Sequence, residues 1–124
     1  VAGTAMMFSR KALDEFGSLD PNIFMYGEDV EICLRARNHH YEVAIDPAAQ
    51  IIHLQSQSST SENAIRKEFE GYLYIYSKHQ NRLQTEIAKV FLQIGAILRI
   101  FVFSVIAPDS YKKQIYKNVL KDLS

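Results

Sequence analysis

The sequence predicts an α/β chain, α+β in appearance, from three observations. Residues 1–8 form an apolar run of strand length. Residues 41–45 alternate like a half-buried strand, and residues 50–54 form a second short apolar run. Between and after these lie stretches whose apolar side chains recur at helical spacing. The chain has 124 residues, 48% of them apolar. That is one domain's worth of sequence, able to bury roughly 65% of its unfolded surface, and too apolar for a disordered chain. Lys and Arg number 14 against 14 Asp and Glu, so the basic footprint of most nucleic-acid binders is absent. A single cysteine, Cys33, excludes an internal disulfide framework and a cysteine-rich zinc site. The chain opens at Val1 within an apolar run, with no Met and no leader, and the expectation is a piece of something longer.

The elements follow in order. Leu13 and Phe16 share one side of a short helix starting at Lys11, and Gly17 supplies its stop. Ser18-Leu19-Asp20-Pro21-Asn22 is turn chemistry. A second helix is predicted from Glu28 to about His39. It has Asp29, Ile32, Cys33 and Ala36 on its apolar face, and Glu31 and Arg35 paired at i,i+4 on the solvated one. Ser61-Glu62 opens a third helix with an Ile65, Phe69, Tyr72, Tyr76 stripe, read as core packing. Residues 90–107 are apolar except for Arg99 and Gln93, a borderline length for a membrane span, and Pro108 ends the run. The tail carries Lys112, Lys113, Lys117 and Lys121 against Asp109 and Asp122, which suits an anionic membrane surface.

Candidate chemistry centres on Tyr26-Gly27-Glu28-Asp29. Two carboxylates at a helix start serve equally as caps that complement the helix dipole. The alternative is a general base: a carboxylate on an apolar face is partly desolvated, which favours proton uptake from an attacking hydroxyl, and Gly27 lets backbone approach a substrate. His53 is a core or edge histidine or a metal ligand, with no second ligand at suitable spacing. Cys33 reads as an inert core thiol. No phosphate loop, GxSxG elbow, HExxH pair or dinucleotide fingerprint is present.

The order of Gly3, Arg10, Phe16-Gly17-Ser18-Leu19-Asp20, Ile23 through Arg35 with its Gly27-Glu28-Asp29 centre, Tyr41, Pro47 and His53 resembles the C-terminal half of family 2 glycosyltransferases. The similarity is strongest to rhamnosyltransferase-like members that build bacterial surface polysaccharide, and it runs over residues 1–80. The resemblance implies the acceptor-side half of a GT-A domain followed by C-terminal helices. It also implies inverting transfer from a nucleotide-sugar donor to a hydroxyl of a glycan or lipid-linked acceptor. Asp29 takes the general-base position. Glu28 orients the acceptor, and Gly3, Tyr26 and Gly27 line the acceptor side. His53 is the tentative ligand of a Mg²⁺ or Mn²⁺ ion that balances the leaving diphosphate.

The family's Asp-x-Asp motif is absent from this sequence, and the 124 residues alone are expected to be inactive. Ser18, His40 and Gln55 stand where the family commonly has glycine, which bears on loop shape and sugar preference. The expected division is an acceptor and base segment, 1–80, and a helical tail, 81–124, touching the membrane through residues 90–107 and the basic end. A cytoplasmic location at the inner membrane face goes with it, and homo-oligomerisation stays open. The competing reading is a non-catalytic α+β module, membrane-peripheral or oligomerising, whose working surface is the apolar helix.

Overall fold

The computed structural model describes residues 3–52 and 61–124. The chain forms two compact units, Val1–Ser58 and Ser59–Ser124.

The first unit is built on two helices. Helix α1, Arg10–Phe16, starts at Ser9, whose hydroxyl accepts the Ala12 N–H, and it stops at Gly17, φ 83°. Helix α2, Glu28–Asn38, starts after a turn in which the Asp20 carboxylate accepts from both the backbone and the side-chain amide of Asn22, at 2.9 Å each. Helix α2 ends in a Schellman arrangement: Tyr41 N–H donates to the Ala36 carbonyl and His40 N–H to the Arg37 carbonyl, both at 2.9 Å. His40 sits at φ 62°, the left-handed position that glycine ordinarily fills and that histidine tolerates better than bulkier residues.

Ile32 and Ala36 are buried, as their helical phase predicts. Glu31 departs from expectation. Instead of facing water it is 0% exposed and grips Arg35, with Nη2 to Oε2 at 2.7 Å and Nε to both oxygens at 3.2 Å. The same guanidinium donates to the carbonyls of Phe16 (2.6 Å) and Ser18 (2.8 Å). Arg35 thus ties the open carbonyls at the end of α1 to α2, a task that i,i+4 spacing alone does not reveal.

The second unit contains α3, Ser61–His79; α4, Arg82–Phe101, continued by one π-helical turn, Val102–Ile106; and α5, Ser110–Asp122. Asn81 and Gln84 form a reciprocal capping box at the start of α4, and the Asp109 carboxylate caps α5 through the Lys112 N–H. That bond holds the Asp109 carboxyl below its usual range. Ile115 and Val119 of α5 and Leu123 at its C-cap form the core, packed by Ile65, Phe69, Leu73 and Leu92. The inward side of α3 is Ile65, Phe69 and Leu73, at i, i+4, i+8, together with the buried Ile75. Tyr72 and Tyr76, expected inside, are exposed, and the Tyr72 hydroxyl donates to Glu68.

The predicted α/β class is corrected: among the described residues every regular element is a helix and there is no strand. A strand is defined by its ladder, and alternation supplies only the pleat. Tyr41 is occupied at the end of α2, its ring 5.5 Å from that of Phe16 in an edge contact, while Ile45 is 73% exposed. Residues 6–8 and 50–52 likewise run without a partner strand among the described residues. Residues 53 and 54, the end of the second predicted strand, lie outside them.

Candidate functional site

The site grows from the entry into α2. Tyr26 and Gly27 both take left-handed backbone, φ 66° and φ 102°. For glycine this costs nothing sterically, whereas for tyrosine it is strained. The double left-handed step turns the chain sharply so that Glu28 begins α2, with the Glu31 N–H bonded to the Gly27 carbonyl at 2.8 Å. Gly27 offers no capping side chain, and the acidic residues Glu28, Asp29 and Glu31 fill the first turn, where the helix dipole favours negative charge.

Asp29 is held by two backbone donors. Its Oδ2 accepts the Gly3 N–H at 2.9 Å across 26 residues, and its Oδ1 accepts the Val30 N–H at 2.8 Å. A carboxylate has about four lone-pair sites, so each oxygen retains one for a further partner. The carboxylate is half-buried and hydrogen-bonded, not sunk in an apolar face as the helical phase suggests. Gly3 touches this group: a Cβ there would lie 3.2 Å from the Asp29 Cβ and 3.4 Å from Glu28 Oε1. Glu28 Oε2 is buried without a hydrogen-bond partner.

The structure thus brings Gly3, Glu28 and Asp29 together and places Tyr26 and Gly27 in the turn immediately before them. The role of the Gly3 N–H as the holder of Asp29 is absent from any sequence signal, because backbone donors carry no residue identity. His53 lies outside the described residues. Among the described residues no group of three or more His, Cys, Asp or Glu could hold a metal ion.

At the opposite end of α2, the Tyr41 hydroxyl donates to Glu15 Oε2 at 2.7 Å, with His39 Nδ1 at 3.4 Å from Oε1. The phenol's hydrogen bond holds the Glu15 carboxyl below its ordinary value, and the same bond pushes the Tyr41 phenol up. Cys33 is a half-buried free thiol.

Comparison with known proteins gives the site its context. The chain is 30% identical over 80 residues to the low-salt glycan biosynthesis hexosyltransferase Agl10 of Haloferax volcanii, a match covering 64% of this chain. The chain spans 24% of the length of that relative. No solved structure matches. Residues 1–85, which include the whole Gly3–Glu28–Asp29 cluster, match the family described as glycosyltransferase like family 2. The chain belongs to that family.

Proposed function

We propose that this chain carries the general base of an inverting glycosyltransferase, with Asp29 as that base. The observation supporting the reading is the Gly3 N–H to Asp29 Oδ2 hydrogen bond of 2.9 Å, which joins two separated parts of the family-matched stretch at one carboxylate. In this reading the acceptor hydroxyl gives its proton to Asp29 as its oxygen attacks the anomeric carbon of a nucleotide-sugar donor. The bond from that carbon to the diphosphate oxygen breaks, the electron pair leaves with the nucleoside diphosphate, and configuration inverts. The two backbone donors fix the carboxylate's position before substrate arrives, so little reorganisation remains at the moment of transfer. Glu28 orients the acceptor, and Tyr26, Gly27 and Gly3 line its approach. The acceptor class is a glycan or lipid-linked hydroxyl, consistent with the glycan-building role in the relative's name.

The test is Asp29→Asn in the full-length protein. The expected result is a fall in kcat of about 10²–10⁴-fold, the range for loss of a general base, with nucleotide-sugar affinity unchanged. Turnover within a few-fold of wild type would remove Asp29 from the role.

A further inference from the structure

Helix α4 and its π-helical turn, Arg82–Ile106, are long and apolar enough by composition to cross a membrane, and almost none of their residues are fully buried. This is not the profile of a core helix. Its inward side packs on α5 and α3 along most of its length, yet Ala96 alone of the helix is fully buried. Ala96 is buried, Leu92 packs on the α5 core, the Gln93 amide donates to the Leu123 carbonyl at 3.0 Å, and Phe103 stacks on Tyr116 at 5.9 Å.

The outward side is a continuous stripe. Leu83, Ile87, Val90, Ile94, Phe101 and Val105 recur at helical spacing and all are exposed, widened by Phe91 and Leu98 at 69% and 59% exposure. At 1.5 Å per residue the stripe is roughly 30 Å long. At 100° per residue Arg82, Lys89 and Arg99 fall away from it, and Glu86 lies at its edge beside Val90. Arg99, the costly charge in this apolar run, lies over the Tyr116 ring at 5.6 Å and donates to the Gly95 carbonyl at 3.2 Å. It is engaged with α5 and the helix's own backbone.

Two occupants compete for such a stripe besides water, and charge separates them. Residues 82–124 carry Arg82, Lys89, Arg99, Lys112, Lys113, Lys117 and Lys121 against Glu86, Asp109 and Asp122. Two copies packed stripe to stripe would bring two basic segments together, whereas an anionic lipid surface complements them.

Orientation follows from α5. The Gln93–Leu123 and Phe103–Tyr116 contacts pair rising α4 numbers with falling α5 numbers, so α5 runs back along α4. If α4 crossed a bilayer, the exposed Lys117 and Lys121 and the Arg66–Asp122 ion pair would be carried into hydrocarbon beside its middle. With α4 lying flat, the stripe faces the acyl boundary while α3 and α5 stay on the water side.

We propose that α4 is an in-plane membrane helix, docking its Leu83–Val105 stripe onto a leaflet containing anionic lipid without crossing it. This stands apart from the assignment of Asp29, and its test needs no transferase activity. The chain is floated with phosphatidylcholine vesicles with and without phosphatidylserine. Expected are binding that strengthens at least tenfold with phosphatidylserine and falls at least tenfold in Phe91→Glu/Leu98→Glu. Both side chains face outward, so far-UV circular dichroism should be unchanged and loss of folding is separable from loss of binding. An Arg82→Glu/Lys89→Glu variant, which reverses the cations carried by α4 itself, should lose the phosphatidylserine enhancement.

For depth, Leu83→Cys, Ile94→Cys and Val105→Cys are labelled singly in a Cys33→Ser background. A flat helix gives three similar shallow depths. A deep Ile94 between two shallow ends would mean a span and overturn the proposal. Absence of vesicle binding, together with a dimer in sedimentation that Phe91→Glu/Leu98→Glu converts to monomer, would assign the stripe to a second copy and overturn it as well.

Discussion

Replacing Arg35 with methionine isolates the contact that joins α1 to the helix bearing Asp29. The guanidinium makes its bidentate contact to Glu31, whose side chain is 0% exposed, and donates to the carbonyls of Phe16 and Ser18. Removing one member of a buried pair costs about 3–5 kcal/mol, because the other charge stays desolvated. The Arg35 side chain is 17% exposed, which places this pair at the low end, about 3 kcal/mol. The lost charged hydrogen bond to Phe16 adds about 1.5 kcal/mol, and the total of about 4.5 kcal/mol is a large part of the stability of any small unit.

Because the two units need not unfold together, the assay must report on the first by itself. Hydrogen exchange read by mass spectrometry on peptides from α1 and α2 across a urea series does so. Arg35→Met should raise exchange in both helices while leaving α5 unchanged. The double variant Glu31→Leu/Arg35→Met removes the stranded charge and should recover more than half of the loss. A cost below about 1 kcal/mol for Arg35→Met would refute the reasoning, since a desolvated pair cannot be broken that cheaply. A double variant no better than the single one would move the cost from the charge to the Phe16 and Ser18 carbonyls.

Two further outcomes follow from the same unit. Gly3→Ala puts a methyl group 3.2 Å from the Asp29 Cβ; a displaced base should lower kcat about 10–100-fold in the full-length protein with little change in donor affinity, measured by steady-state kinetics. Tyr41→Phe tests the Glu15 contact through pH. Glu15 is lowered from 4.5, so its contribution is complete above the ordinary carboxylate range and is lost as pH falls through the lowered value. Tyr41 is raised from 10.0, so its contribution is complete below that value and is lost as pH rises through the raised one. The melting-temperature advantage of wild type over Tyr41→Phe should be flat near neutrality and shrink at both extremes; a constant difference across pH would exclude the pair as its source.

Local signals carried the helices. Gly17 closes α1 as expected, Glu28 opens α2, Ser61 opens α3 and Pro108 follows the end of the apolar helix. What stayed hidden was relational. Residues 41–45 alternate correctly yet form no strand, because no sequence pattern states whether a ladder partner is at hand. Glu31 looked solvated because i,i+4 pairs usually are, and its burial depends on α1 offering open carbonyls to Arg35. The α3 stripe holds at Ile65 and Phe69 and fails at Tyr72 and Tyr76: the Tyr72 hydroxyl turns toward Glu68, while Leu73 and Ile75 take the inner side. At the site, Asp29 and Gly3 were both legible as residues; the bond between them was not.

Tyr26 carries a different kind of information. Its left-handed backbone costs about 1–2 kcal/mol that a glycine would recover. The substitution that removes most of this side chain is therefore the one its backbone prefers. A library screened for heat tolerance alone should drift from tyrosine to glycine or asparagine at this position, and, under the proposed acceptor-lining role, one screened for turnover should hold the ring. Position 26 is a place where the two pressures can be told apart by counting survivors.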